Sequence, residues 1–223
     1  LLVIFPFEVE FYKTYGLEVT YVGNPLLDEI AKQNYSFSFK SSKQIIALLP
    51  GSRKQEIESI LPEMLKVIPS FPDYQFVLAA TNVFSKTYYQ SFIKDKDVLC
   101  VYDKTYGLLS NARAAIVTSG TATLEAALFK VPQVVCYKTN WLTYILAKFL
   151  IKIKYLSLVN ILLDKEVVKE LIQKDLNKEN LSNELTNLLL TKDKLLLDYE
   201  KISHLLNKKG ASKNAAKFIF SSF

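Results

Sequence analysis

The sequence predicts an α/β fold, a parallel sheet covered by helices, and three features carry that prediction. Apolar runs of five or six residues recur near 44–49, 74–80, 97–102, 114–118 and 132–137. Helical patterns follow them near 54–68, 83–94, 104–111, 120–130 and 141–152. Two of the runs stop on small or turn-forming residues where a helix begins. Uninterrupted apolar strands are buried on both faces, and their regular alternation with helices is the pattern of a parallel sheet.

The chain opens on Leu2-Val3-Ile4-Phe5, a strand, followed by a helix around Glu8–Tyr15, Gly16, a second strand over Glu18–Val22, and the turn Gly23-Asn24-Pro25. No charged leader or small-residue cleavage pattern accompanies the first strand, so it does not read as a signal peptide. A chain that begins part-way through a domain accounts for such a start. Ala31 to Lys43 is polar and Ser-rich and reads as linker. The predicted boundaries are therefore 1–28, a linker over 29–43, a main domain over 44–200 and a helical tail over 201–223. Beyond residue 160 the chain reads as helical and rich in Lys and Asn, ending in the amphipathic stretch Ala211–Phe220. Phe218, Phe220 and Phe223 make that tail apolar enough to pack on protein outside this chain, a further domain or a second subunit.

Half of the residues are apolar, which supports a sizeable core. The net charge of +6 is carried by lysines, with Arg53 and Arg113 the only arginines. The lysines are scattered over helix surfaces, with no basic stripe interleaved with aromatics, so a nucleic-acid partner is not expected. The basic excess favours anionic ligands or an anionic membrane surface. One histidine, His204, and two cysteines, Cys100 and Cys136, provide no zinc set, and the cysteines read as free thiols in a reducing compartment.

The two strand-to-helix corners carry the candidate chemistry. In the first, Ile45-Ile46-Ala47-Leu48-Leu49 runs through Pro50 into Gly51-Ser52-Arg53 and the helix pattern from Glu56. In the second, Ala114–Thr118 runs into Ser119-Gly120-Thr121-Ala122 and then Glu125. Such corners present backbone N–H groups, and here a guanidinium, to an anion. An Arg at a helix start is opposed by the positive helix end by about 0.3–1 kcal/mol. A bound phosphate reverses that sign. The alternative is a tight turn with Arg53 paired to Glu56 or Glu58. For the second corner the alternative is a helix cap made by Ser119 or Thr121. Glu125, one turn in, is placed either to accept hydrogen bonds from a vicinal diol such as a ribose or to sit at the surface near the positive helix end. The phosphate loop G-x-x-x-x-G-K-[ST] is absent. Both corners fall at carboxyl ends of strands, where open parallel sheets bind ligands.

Residues 141–155 form an amphipathic pattern with Leu142, Ile145, Leu146 and Phe149 on one face and Lys148, Lys152 and Lys154 nearby. It is too short and too charged to span a bilayer, and either packs into the protein or lies at a lipid interface. Asn160, inside the apolar run Ser157–Leu163, is either a bracket for a loop or a ligand contact.

At these residues the chain resembles the lipid A disaccharide synthase family of Gram-negative bacteria. The resemblance rests on Phe5-Pro6-Phe7-Glu8 with Phe11-Tyr12, Val22-Gly23-Asn24-Pro25-Leu26, Leu48–Arg53 with Glu56-Ile57, Thr118–Glu125, Val134–Lys138 with Leu142-Thr143-Tyr144, and Ser157–Leu162 with Val168–Gln173. Ordered blocks along nearly the whole chain make it specific. It implies a GT-B glycosyltransferase of two Rossmann-like domains, of which this chain holds the end of the first and the whole donor-binding second. The presumed catalytic aspartate then lies outside these residues. The implied reaction transfers 2,3-diacylglucosamine from its UDP donor to 2,3-diacylglucosamine 1-phosphate (lipid X), with inversion and release of UDP, and without metal or other cofactor. Gly51, Ser52, Arg53, Ser119, Gly120, Thr121, Ala122, Glu125 and Asn160 would bind the UDP-sugar. Trp141, Leu142, Ile145 and Phe149 would meet lipid. The implied location is cytoplasmic, peripheral on the inner face of the inner membrane, and a homodimer is compatible with it. Three positions depart from the family: Asn24 stands where His is common, Lys138 where Arg is usual, and Val159 where Pro precedes the Asn. The competing readings are another GT-B UDP-sugar transferase or epimerase, and a non-catalytic nucleotide-binding domain.

Overall fold

The structure, a computed structural model, describes residues 1–32, 35, 39, 42–139, 154–191 and 193–221. The pattern predicted as a helix near 141–152, with Trp141, Leu142, Ile145 and Phe149, lies outside these residues, as does Phe223. The chain divides into two compact units, Leu1–Asn34 with Glu200–Phe223, and Tyr35–Tyr199.

In the first unit, β1 (Leu2–Val3) and β2 (Thr20–Tyr21) pair in parallel, joined through α1 (Pro6–Lys13). Glu8 anchors the start of α1, its Oε2 accepting from the backbone N–H groups of Ile4 at 3.0 Å and Phe5 at 2.8 Å. Next comes α2 (Pro25–Lys32), which runs across the stretch where the sequence predicted the linker to begin. Pro25 begins a helix here instead of ending a turn, because the first helical position needs no N–H donor. Asn24 is the reason it starts cleanly: its Oδ1 accepts from Leu26 N–H at 3.0 Å and its Nδ2 donates to Ile4 O at 3.3 Å.

The second unit holds a six-stranded, all-parallel sheet in the order β5-β4-β3-β6-β7-β8. Its elements are β3 (Gln44–Leu49), α3 (Lys54–Leu65), β4 (Tyr74–Ala80), α4 (Lys86–Ile93), β5 (Val98–Tyr102), α5 (Thr105–Leu109), β6 (Ala112–Thr118), α6 (Thr121–Leu128) and β7 (Gln133–Tyr137). After these come α7 (Leu158–Leu163), β8 (Glu170–Ile172) and α8 (Lys178–Leu190). The strand β8 corrects the expectation of an all-helical chain beyond residue 160; at three residues it is too short to show a strand pattern. Alternate residues feed two cores. Ile46, Leu48, Phe76, Leu78 and Ile116 pack with Ile57, Ile60 and Met64 of α3 and Leu181 and Leu185 of α8. On the other face Ala47, Val77, Ala115 and Val117 pack with Leu108 and Leu109 of α5 and Ala126 of α6. Each large apolar side chain so buried contributes about 1.5–3 kcal/mol.

The chain leaves β3 toward β4 and β5, then returns to lay β6 on the other side of β3. The two strands that end in the candidate corners are thus neighbours, at the point where the strand order reverses.

Two further helices follow, α9 (Asp193–Leu205) and α10 (Ala211–Ser221). The segment before α10 is tied into the first unit. Gly210 N–H donates to Asp28 Oδ1 at 2.7 Å, and Asn214 Nδ2 donates to Val22 O at 2.9 Å. Gly23, at φ +104°, is required here, because a Cβ would lie 2.4 Å from Lys208 O. No helix among the described residues is long and apolar enough to cross a membrane.

Candidate functional site

A cavity of about 430 Å³ opens at the carboxyl ends of β3, β4 and β6. Gly51, Ser52, Arg53 and Glu56 form one wall, and Thr118, Ser119, Gly120, Thr121, Ala122 and Glu125 the other. Leu49, Ala79, Thr81 and Thr105 complete the lining. Of the nine predicted donor-binding residues, eight therefore share one cavity.

The first corner is held by charge. Gly51 adopts φ +95°, and a Cβ there would meet Glu56 Oε2 at 2.4 Å, so only glycine lets the carboxylate fold back under the turn. That carboxylate accepts from Arg53 N–H at 3.4 Å and from Arg53 Nη1 at 3.2 Å. The pairing weighed against ligand binding in the sequence is thus present, with Glu56 as partner. It does not bury the guanidinium, whose side chain remains 84% exposed. An ion pair this open is worth about 0–1 kcal/mol, so the guanidinium is cheaply redirected to a stronger anion.

The second corner is held by backbone. Gly120 precedes α6 at φ +153°, with nothing within 4 Å of its Cβ position. The alternative weighed for this corner, a cap made by Ser119 or Thr121, is not formed, since the cap residue is Gly120 and no side chain caps it. Ser119 instead donates its hydroxyl to Leu156 O at 2.9 Å. The first turn of α6 carries no acidic residue. An uncapped helix start beside a cavity offers N–H groups and a positive dipole end to an anion.

Glu125 is half-buried, and Tyr106 donates its hydroxyl to Glu125 Oε1 at 3.1 Å. Burial raises the Glu125 carboxyl above its ordinary range, and the phenol bond offsets part of that rise. Of the two readings made from spacing, the surface carboxylate does not describe this residue.

Asn160 is not part of the lining. It is fully buried, and its amide is committed to a loop. Oδ1 accepts from Val167 N–H at 2.7 Å and Val168 N–H at 2.9 Å, while Nδ2 donates to Val168 O at 2.9 Å and Glu170 Oε1 at 2.8 Å. With two donors and two acceptor sites engaged, the amide brackets this loop. Glu170, which the sequence did not single out, is the centre of this bracket. It also accepts from Leu156 and Ser157 N–H at 2.9 Å each and from Ser157 Oγ at 2.8 Å. Because Ser119 bonds Leu156, the bracket supports the second corner from behind. Tyr106 gave no sequence signal and Glu170 entered only as part of the block Val168–Gln173, since the partners of both are distant in the chain.

Lys138, where the resemblance expected Arg, lies outside the cavity lining and bonds Glu63 Oε1 at 2.8 Å. Burial tends to raise the Glu63 carboxyl, but bonds and charge from Lys138 and Lys66 prevail and hold it below its ordinary range.

Comparison with known proteins places this geometry in context. Among solved structures, the chain is similar in fold to a UDP-GlcNAc 2-epimerase from Neisseria meningitidis bound to UDP-GlcNAc, with TM-score 0.56 and 16% identity, covering 92% of this chain and 55% of that one. It is similar to the glycotransferase of kitacinnamycin with TM-score 0.58 and 13% identity, covering 86% and 46%. Curated relatives are closer. The lipid-A-disaccharide synthase of Syntrophus aciditrophicus is 37% identical over 93% of this chain and 58% of its own length. The same enzyme of a Sulfurihydrogenibium species is 36% identical over 98% and 64%, and that of Acinetobacter baylyi 36% over 85% and 53%. The chain thus spans a little over half the length of the relatives it matches. The family profile described as lipid-A-disaccharide synthetase matches residues 1–221, and the chain belongs to that family.

Proposed function

We propose that this chain forms the donor-nucleotide side of a lipid A disaccharide synthase, binding UDP-2,3-diacylglucosamine for transfer of its sugar to lipid X with release of UDP. The observation that carries the reading is the meeting of two anion-directed corners and a half-buried carboxylate in one cavity, in a member of this family. Arg53 and the N–H groups at the start of α6 take the diphosphate and stabilise it as it leaves, which a reaction without metal requires of protein groups. Gly51, Ser52, Ser119, Gly120, Thr121 and Ala122 let the ligand approach the backbone closely. Glu125 accepts from the ribose diol. Asn160 acts through the loop it brackets.

In this proposal residues 1–28 close the acceptor-side domain, 44–200 form the donor domain, and the general base comes from sequence beyond these residues. The whole enzyme works in the cytoplasm, peripherally on the inner face of the inner membrane, and a homodimer fits the apolar tail. Trp141, Leu142, Ile145 and Phe149 are its proposed lipid contacts.

Calorimetric titration tests the nucleotide part. UDP is expected to bind and ADP not, and Arg53→Ala and Glu125→Ala are each expected to weaken UDP. Equal binding of ADP would sink the uridine assignment. Transfer from UDP-2,3-diacylglucosamine to lipid X by the protein with its upstream domain present tests the rest.

A further inference from the structure

Glu125 depends on a neighbour that the cavity itself does not include. Tyr106 lies on α5, one residue beyond the cavity residue Thr105. Its ring sits edge-on to Tyr35, with centroids 5.3 Å apart, and tilted against Phe129 at 5.4 Å, while Tyr35 and Phe129 are themselves 5.4 Å apart. Three mutually packed rings from distant parts of the second unit fix the phenol. Its hydroxyl donates to Glu125 Oε1, and Oε2 accepts no hydrogen bond among the described residues. One carboxylate oxygen is thus pinned and the other is left for a ligand.

We propose that Tyr106 is a positioning residue, orienting Glu125 as the acceptor for the vicinal diol of a ribose. The proposal rests on the reading of the cavity as a nucleoside diphosphate site. Its chemistry is that of a half-buried carboxylate, which without a partner takes up a proton, and becomes a donor on one oxygen, at a higher pH than it does with one. A diol with two O–H donors needs an acceptor on the protein side. The phenol bond favours the charged form, whereas burial disfavours it. Arg53 and Glu56 on the facing wall are paired with each other. On the strands behind α6, Arg113 donates to Leu189 O, and β7 contributes Cys136 and Tyr137. The stretch Leu158–Leu163 of α7, packed on α6, has no ionisable side chain.

The test is calorimetric titration of the full chain with UDP and with 2′-deoxy-UDP from about pH 5 to about pH 8, with thermal melts alongside. The variants are Tyr106→Phe, which keeps the ring, Glu125→Gln, and the two combined. In the wild type, UDP affinity is expected to fall as pH drops through the raised Glu125 range. Tyr106→Phe is expected to melt near the wild type, to weaken UDP about fivefold, and to begin its acid loss at higher pH. Its preference for UDP over 2′-deoxy-UDP should shrink. Glu125→Gln should keep only the acid loss that protonation of the UDP terminal phosphate itself causes, and adding Tyr106→Phe to it should change little. An unshifted acid limb in Tyr106→Phe, or an equal loss in the Glu125→Gln background, would overturn the role of Tyr106 while leaving the nucleotide site intact. Retention of the full 2′-hydroxyl preference by Glu125→Gln would overturn it even if Tyr106→Phe failed to fold. No binding of UDP by the wild type would remove the proposed site and this role with it.

Discussion

The β3–α3 corner and the β6–α6 corner face one cavity, yet one is built from side-chain charge and the other from backbone. Arg53 stands open to solvent over a carboxylate that steadies the turn, so the first corner is adjustable and sensitive to salt. Gly120 and the bare start of α6 offer fixed N–H groups, and the rigidity of that corner comes from behind, through Ser119, Leu156, Glu170 and Asn160. Under the proposed function the difference would be a division of labour, in which the backbone corner sets where a diphosphate sits and the charged corner adds attraction once it is there.

Substitutions should separate the two. The largest effect is expected for Asn160→Ala, which strands buried groups of Val167, Val168 and Glu170 and should cost about 3–5 kcal/mol in chemical denaturation. Equal stability to the wild type would mean that the bracket does not support the second corner. Next comes Gly120→Ala. Its φ of +153° and ψ of −161° lie in a region essentially restricted to glycine, so a loss of about 1–3 kcal/mol is expected, together with weaker UDP binding. Arg53→Ala should behave in the opposite way. Its melting temperature should stay close to that of the wild type, because an exposed pair is worth about 0–1 kcal/mol. UDP affinity should nonetheless drop about tenfold or more, with a shallower dependence on ionic strength. A large stability loss in Arg53→Ala would erase the contrast between the corners.

The smallest effect concerns pH. Folding raises the Glu125 carboxyl, so its contribution to stability is fully present below the ordinary carboxylate range and is lost as pH rises through the raised value. Glu125→Gln should therefore melt higher than the wild type at neutral pH, and the gain should vanish in acid. Glu63 has the opposite sign. It is held low by Lys138 and Lys66, so its contribution is present above the ordinary range and lost as pH falls through the lowered value. Melting curves of Glu125→Gln and Glu63→Gln across acid pH should move in opposite directions relative to the wild type.

Much of this was legible in the sequence for a local reason. Each long strand is an apolar run bounded by turn chemistry, so β3, β4, β5, β6 and β7 fall within about two residues of their predicted positions. Gly51 and Gly120 mark their corners because the backbone there reaches conformations that other residues avoid. What was missed depends on partners far away in the chain. The strand β8 is held by pairing Val135 with Glu170, and its own three residues give too little pattern to announce it. The helix α2 was hidden behind a proline that also begins turns.

The sequence alone therefore determined the α/β class, the two corners, the residues that compose them and the family they belong to, because periodicity, glycine placement and ordered motifs are properties of neighbours along the chain. Only the tertiary structure decided that both corners line one cavity, that Arg53 rests on Glu56, that Tyr106 reaches Glu125 and that Asn160 serves a loop. These are settled by which strand lies beside which and by which side chains are buried together, and the return of β6 to the side of β3 is the step that brings them about.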